Sequence, residues 1–187
     1  MFNSKIRAMI DKRNIVLVGF MGAGKTTIAR MLADRLKRRL VSTDDAIVQR
    51  EGRSINEIFS HDGEKYFREL EACVVADLSA KTNLVVDCGG GVVLRKSNLD
   101  VLKQNGVVVH LKTSPETVYS RIKNETHRPL LNVPDPLCAI KNLMEQRAMF
   151  YAQADWQVLT DGRKADDIVN EIIDIFKRSH DTKSRVA

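Results

Sequence analysis

Residues 19–26 read Gly-Phe-Met-Gly-Ala-Gly-Lys-Thr, the spacing G-x-x-x-x-G-K-[ST]. Glycines at these positions let backbone N–H groups turn inward and come close to phosphate oxygens. Lys25 can then reach the β- and γ-phosphates, and the Thr26 hydroxyl can ligate Mg²⁺. A helix starting near Lys25 adds its positive N-terminal end at the same point. This is a P-loop, and it predicts binding of a nucleoside triphosphate. It does not name the acceptor. A base-reading N-K-x-D is absent, which disfavours a Ras-type GTPase. No H-R-D catalytic loop is present either, which disfavours a protein kinase.

Further along stand other groups able to do chemistry. Ser42-Thr-Asp44-Asp45 follows a short apolar run, and Asp87-Cys-Gly89-Gly90-Gly91 follows another. Arg68 lies three residues before Glu71, a helical spacing at which the acid could orient it. Its alternative reading is an ordinary surface ion pair. Arg147 falls on the apolar stripe of Ile140, Leu143, Met144 and Tyr151 by helical periodicity. A guanidinium facing a core needs a partner or must snorkel at its edge, and its planar fork suits a carboxylate. Asp44 is read either as a ligand-binding acid at a strand's C-terminal end or as a helix cap.

These residues need a frame. Short apolar runs at 15–18, 40–41, 84–86, 107–111 and 156–159 alternate with helical patterns at 25–39, 43–80, 96–104, 115–123, 136–153 and 166–177. Such alternation predicts an α/β fold, a parallel sheet covered by helices on both faces. Ser54 with Glu57 and Ser97 with Asp100 have capping-box spacing, and Ser114 precedes Pro115 at an expected helix start. Residues 124–135, with two prolines and little periodicity, read as a mobile loop.

The 187 residues suit one domain. The net charge of +6 suggests a nucleic-acid partner until it is located. Lys5, Arg7, Lys12 and Arg13 against Asp11 give +3, and Lys177, Arg178, Lys183 and Arg185 against Asp181 give another +3. Residues 14–176 are therefore formally neutral, flanked by basic tails at 1–13 and 177–187. Neither a nucleic-acid nor a membrane partner is expected. Three widely spaced cysteines, Cys73, Cys88 and Cys138, fit a reducing cytoplasm better than a disulfide framework.

The set of motifs, in this order, resembles the shikimate kinase family. It comprises the P-loop, the acids after the second strand, Gly63-Glu-Lys-Tyr-Phe67-Arg68-Glu69-Leu-Glu71, the triple glycine at 89–91, Thr126-His-Arg128-Pro129-Leu-Leu131 and Arg147. The resemblance covers about residues 14–176. It implies the three-layer P-loop NTPase fold, with five parallel strands in the order 2-3-1-4-5. It also implies transfer of the γ-phosphoryl of ATP to the 3-hydroxyl of shikimate with Mg²⁺, a step of aromatic amino acid biosynthesis. A monomer acting on these small molecules is expected.

Residue by residue, the resemblance implies that Gly22, Ala23, Gly24, Lys25, Thr26 and Thr27 hold the ATP phosphates. Arg121 lies against adenine, and Arg163 also belongs to the nucleotide site. Arg128, on a lid at about 123–135, meets the γ-phosphoryl. Asp44 holds the substrate hydroxyls and is a candidate base. Arg68 and Arg147 grip the substrate carboxylate, and Gly89 and Gly90 line its pocket, with 43–80 as the substrate-binding helical segment. Lys25, Asp44 and Arg128 are the expected catalytic groups.

The chain departs from the family at the metal. The first acid of the usual D-T-D or D-S-D is Ser42 here, while Asp87 stands where serine is common before the triple glycine. An acid ending an apolar strand is the Walker B arrangement. Asp87 is therefore a candidate for the outer sphere of a metal ligated by Thr26, unless Ser42 simply weakens the site. Other readings remain: a gluconate-type small-metabolite kinase, a catalytically weak nucleotide-binding regulatory domain, or, from charge alone, a nucleic-acid-binding NTPase.

Overall fold

The computed structural model describes residues 11–124 and 133–183, with 180–183 as backbone only. The basic termini at 1–10 and 184–187 and the lid core at 125–132, Arg128 included, lie outside the described residues.

Five parallel strands form one sheet: β1 Asn14–Val18, β2 Arg39–Ser42, β3 Leu84–Asp87, β4 Gly106–Lys112 and β5 Trp156–Leu159. Their order is β2-β3-β1-β4-β5, as the resemblance implied. β1 is the centre of the sheet, and all five of its residues are buried. Its side chains alternate between two cores, as a strand's period of two requires. Ile15 and Leu17 face one core with Leu32, Val109, Ile172 and Phe176, while Val16 and Val18 face the other with Ile47, Phe67, Val86 and Ile140.

The first core is closed by α1 Lys25–Leu36 and α8 Ala165–Lys183. The other is closed by α2 Thr43–Glu51, α3 Ile55–His61, α4 Gly63–Ser79, α5 Lys96–Gln104, α6 Pro115–Ile122 and α7 Pro136–Tyr151. Ser54 and Glu57 make the expected capping box on α3. Ser114 caps α6 by accepting the Thr117 N–H, with Pro115 at the first turn.

Two expectations change. Ser97 caps nothing, because α5 begins a residue earlier at Lys96, and the Ser97 hydroxyl accepts from Arg95 Nε instead. The last helix runs through Lys183, so Lys177 and Arg178 are helical rather than part of a tail. Ile168, Ile172, Ile175 and Phe176 bury one face of it, and the chain before β1 fastens to the same end. Arg13 and Arg38 both lie over the Phe176 ring. The Arg38 guanidinium donates to the backbone carbonyls of Asp11 and Arg13.

Candidate active site

The C-terminal ends of β1, β2 and β3 open into a cleft of about 500 Å³ lined by Gly22, Gly24, Lys25, Thr26, Thr27, Asp44 and Asp87, with Arg121 at its side. Ligands bind at this edge of open parallel sheets. The turn from β1 to α1 places Gly22 and Gly24 at φ of 72° and 90°, values that only glycine adopts without strain. Ala23 packs inward, and its N–H donates to the Phe20 carbonyl, so this residue shapes the loop from inside. Lys25 Nζ lies across the loop and donates to the carbonyls of Gly19 and Phe20 at 3.0 and 3.2 Å. Arg121 reaches back from α6 to the Gly22 carbonyl at 2.8 Å, which sets it beside the phosphate loop.

The acid side of the cleft comes from β2 and β3. Ser42 and Asp87 are register partners at the strand ends, the neighbour relation expected from the strand order. Ser42 caps α2 through the Asp45 N–H, so Asp44 is not the cap. Asp44 instead projects onto the turn after β3, where a Cβ at Gly89 would overlap its carboxylate. Burial pushes its carboxyl above the ordinary aspartate range; Lys25 pulls it back, and Asp87 and Asp45 push it up again. Asp87 is 7% exposed, and its Oδ2 accepts the Thr26 hydroxyl at 2.6 Å.

Neither expected carboxylate-binding arginine is among the residues lining this cleft, but Arg68 stands against the triple glycine. Arg68 is held by Glu64 and Glu71 at 3.0 Å each and lies so close to Gly91 that a Cβ there would overlap its guanidinium. Glu71 is 1% exposed, so the pair is no ordinary surface bridge. Arg147 sits 5.8 Å from the Phe20 ring centre and beside Tyr151. The Tyr151 hydroxyl donates to the Gly90 carbonyl at 2.7 Å.

Arg163 is not among the residues lining the cleft. It pairs with Glu171 at 2.6 Å and donates to the Leu159 carbonyl, so the structure does not bring it to the loop. Sequence reasoning missed three supporting residues. Thr43 is buried and its Oγ1 accepts the Gly89 N–H at 2.8 Å. Gly91 makes room for Arg68, and Tyr151 ties α7 to Gly90. Thr43 and Gly91 stand inside quoted motifs, which was the available signal. Tyr151 read only as core.

This fold and cleft define a P-loop kinase for a small molecule. The family model for shikimate kinase matches residues 21–177, and the chain belongs to that family. It is 40% identical to the shikimate kinase of Dehalococcoides mccartyi over 174 residues, 93% of this chain and 99% of that one. It is 44% identical to that of Geobacter sulfurreducens over 173 residues, covering 91% and 93%. The solved shikimate kinase from Acinetobacter baumannii, in complex with shikimate, superposes with a TM-score of 0.85 at 35% identity, covering 95% of this chain and 98% of that one. A gluconokinase from Sinorhizobium meliloti, 16% identical with a TM-score of 0.66, shares the fold.

Proposed function

We propose that this protein transfers the γ-phosphoryl of ATP to the 3-hydroxyl of shikimate, releasing ADP and shikimate 3-phosphate. The observation that carries the reading is the shared cleft of Lys25 and Asp44, with Asp44 seated on Gly89. A phosphate cradle thus faces a carboxylate able to receive a hydroxyl proton. Arg68, against Gly91, and Arg147, near Phe20 and Tyr151, are the guanidiniums offered to a carboxylate-bearing acceptor. The shikimate complex of the Acinetobacter relative supports the same acceptor.

In the proposed reaction the acceptor oxygen bonds to the γ-phosphorus as the bond to the β,γ-bridging oxygen breaks. The hydroxyl proton passes to Asp44. Lys25 and the loop N–H groups hold the phosphates, so catalysis is mainly positioning and charge neutralisation. Arg121 holds the nucleotide's other end, and Arg128 is assigned to the γ-phosphoryl. The Thr26 hydroxyl beside a carboxylate is a donor set that fits Mg²⁺. When bound, the ion would neutralise phosphate charge.

The free thiols of Cys73, Cys88 and Cys138 fit a reducing cytoplasm, and among the described residues no helix is long and apolar enough to cross a membrane. The test is ADP release from Mg·ATP with shikimate, gluconate, nucleoside monophosphates and single-stranded RNA offered separately. Stimulation by shikimate alone is expected. Stimulation by another acceptor, or by none, overturns the reading.

A further inference from the structure

We infer that Asp87, at the end of β3 and opposite Ser42 at the end of β2, positions the metal's hydroxyl ligand in this chain. Three observations meet here. Ser42 and Asp87 are paired across the ladder. The Ser42 hydroxyl is committed to the Asp45 N–H as the cap of α2, and serine brings no charge. Asp87 Oδ2 accepts the Thr26 hydroxyl at 2.6 Å.

A hydroxyl has one hydrogen and two lone pairs. Giving the hydrogen to Asp87 fixes the rotor and leaves lone pair density for a cation on the cleft side. Asp87 can do this because β3 is clamped between β2 and β1, where it is also the partner of Leu17. Relative to an acid at position 42, the charge stands one strand spacing, about 4.8 Å, nearer the phosphate loop. The residue acts through Thr26 and through the charge it sets there, so it is a positioning residue. The competing role is a structural tie between α1 and β3, which an amide oxygen would serve as well.

The inference rests on the reading of this cleft as a metal–nucleotide site, and ADP binding without acceptor tests it separately from turnover. Calorimetric ADP affinity is measured with EDTA and across a Mg²⁺ titration for wild type, Asp87→Asn, Asp87→Ser and the double variant Ser42→Asp/Asp87→Ser. Both single variants are expected to need about 10- to 100-fold more Mg²⁺ for the metal-enhanced state. The double variant recovers most of that loss. Asp87→Asn is the isosteric control for folding, followed by its melting temperature. An unchanged Mg²⁺ requirement in Asp87→Asn overturns the inference, as does a loss equal with and without metal. A folded double variant that recovers nothing overturns it too. Wild type that binds no ADP would overturn the kinase reading itself.

Discussion

The Tyr151 hydroxyl donates to the Gly90 carbonyl at 2.7 Å and so joins the last turn of α7 to the glycine turn after β3. The tyrosine is 4% exposed, and its ring stacks on His110 at 4.7 Å. Burial raises its hydroxyl to about 12, so it remains a donor at every pH at which the enzyme would be assayed.

Replacing Tyr151 by Phe keeps the ring and removes the donor. The loss of one such bond costs about 1 kcal/mol. The shikimate KM is expected to rise several-fold and the ATP KM less, because the freed turn carries Gly89 and Gly91, which pack on Asp44 and Arg68, and meets the P-loop only through Gly90. Steady-state kinetics with each substrate varied in turn checks this. Equal rises in both KM values would mean that the bond supports the fold in general.

The three glycines should not respond alike. A Cβ at position 89 would overlap the Asp44 carboxylate, and one at 91 would overlap the Arg68 guanidinium, whereas at 90 the nearest atom is the Gly19 carbonyl oxygen at 3.6 Å. Gly89→Ala is expected to lower kcat most, through Asp44. Gly91→Ala is expected to raise the shikimate KM, through Arg68. Gly90→Ala should be mildest. Kinetics of the three variants gives the order directly, and a severe Gly90→Ala would contradict it.

Arg128→Ala should lower kcat by about 10³-fold, the scale of an arginine that meets a transferring phosphoryl group. ADP affinity, measured by calorimetry, should change little. Losses of equal size in both would assign the residue to ground-state binding.

Much of this arrangement was legible in the sequence because local chemistry dictates it. The apolar runs around Val16, Val85 and Val108 fix the strands. The glycines of the loop fix a turn that few other residues could make. Asp44 and Asp87 were legible because motif and strand ending coincide, and Arg68 because its motif sets Glu71 three residues on along a helix. The rest depends on contacts distant in sequence. Nothing near Arg163 announces its pairing with Glu171 on α8. Tyr151 carries no local sign of reaching Gly90, and Ser97 has a correct capping spacing two residues beyond the actual cap position, Arg95. Arg38 stands in a basic run with Arg35, Lys37 and Arg39, a composition typical of a solvated surface, yet it is 6% exposed.

That Arg38 is a structural clamp gives a prediction about stability alone. Its guanidinium sits over Phe176 at 4.6 Å and holds the carbonyls of Asp11 and Arg13. Arg38→Ala is expected to cost roughly 2–3 kcal/mol, the scale of charge-assisted bonds lost. Urea unfolding should show the loss, with both KM values unchanged, since the clamp lies at the sheet end opposite the cleft.

Asp44 links activity to stability with opposite signs. Its carboxyl lies above the ordinary value of 3.8 chiefly through burial, against the pull of Lys25 and with the push of Asp87 and Asp45. As a base it must be ionised, so kcat should fall on the acid side at a higher pH than an exposed aspartate would give. For stability, a folded value above the unfolded one favours the native state at low pH, and that contribution is lost as pH rises through the folded value. At neutral pH the ionised group therefore costs stability. Asp44→Asn is expected to melt higher than wild type at pH 7, with the difference shrinking as pH falls and the wild-type group protonates. The same substitution should lower kcat on the order of 10²–10⁴-fold, the scale of a lost general base. Melting curves from neutral to acid pH, beside a pH–rate profile of the wild type, read both effects. A variant that melts lower at pH 7 would place the stabilising contacts of the Asp44 carboxylate above its burial cost.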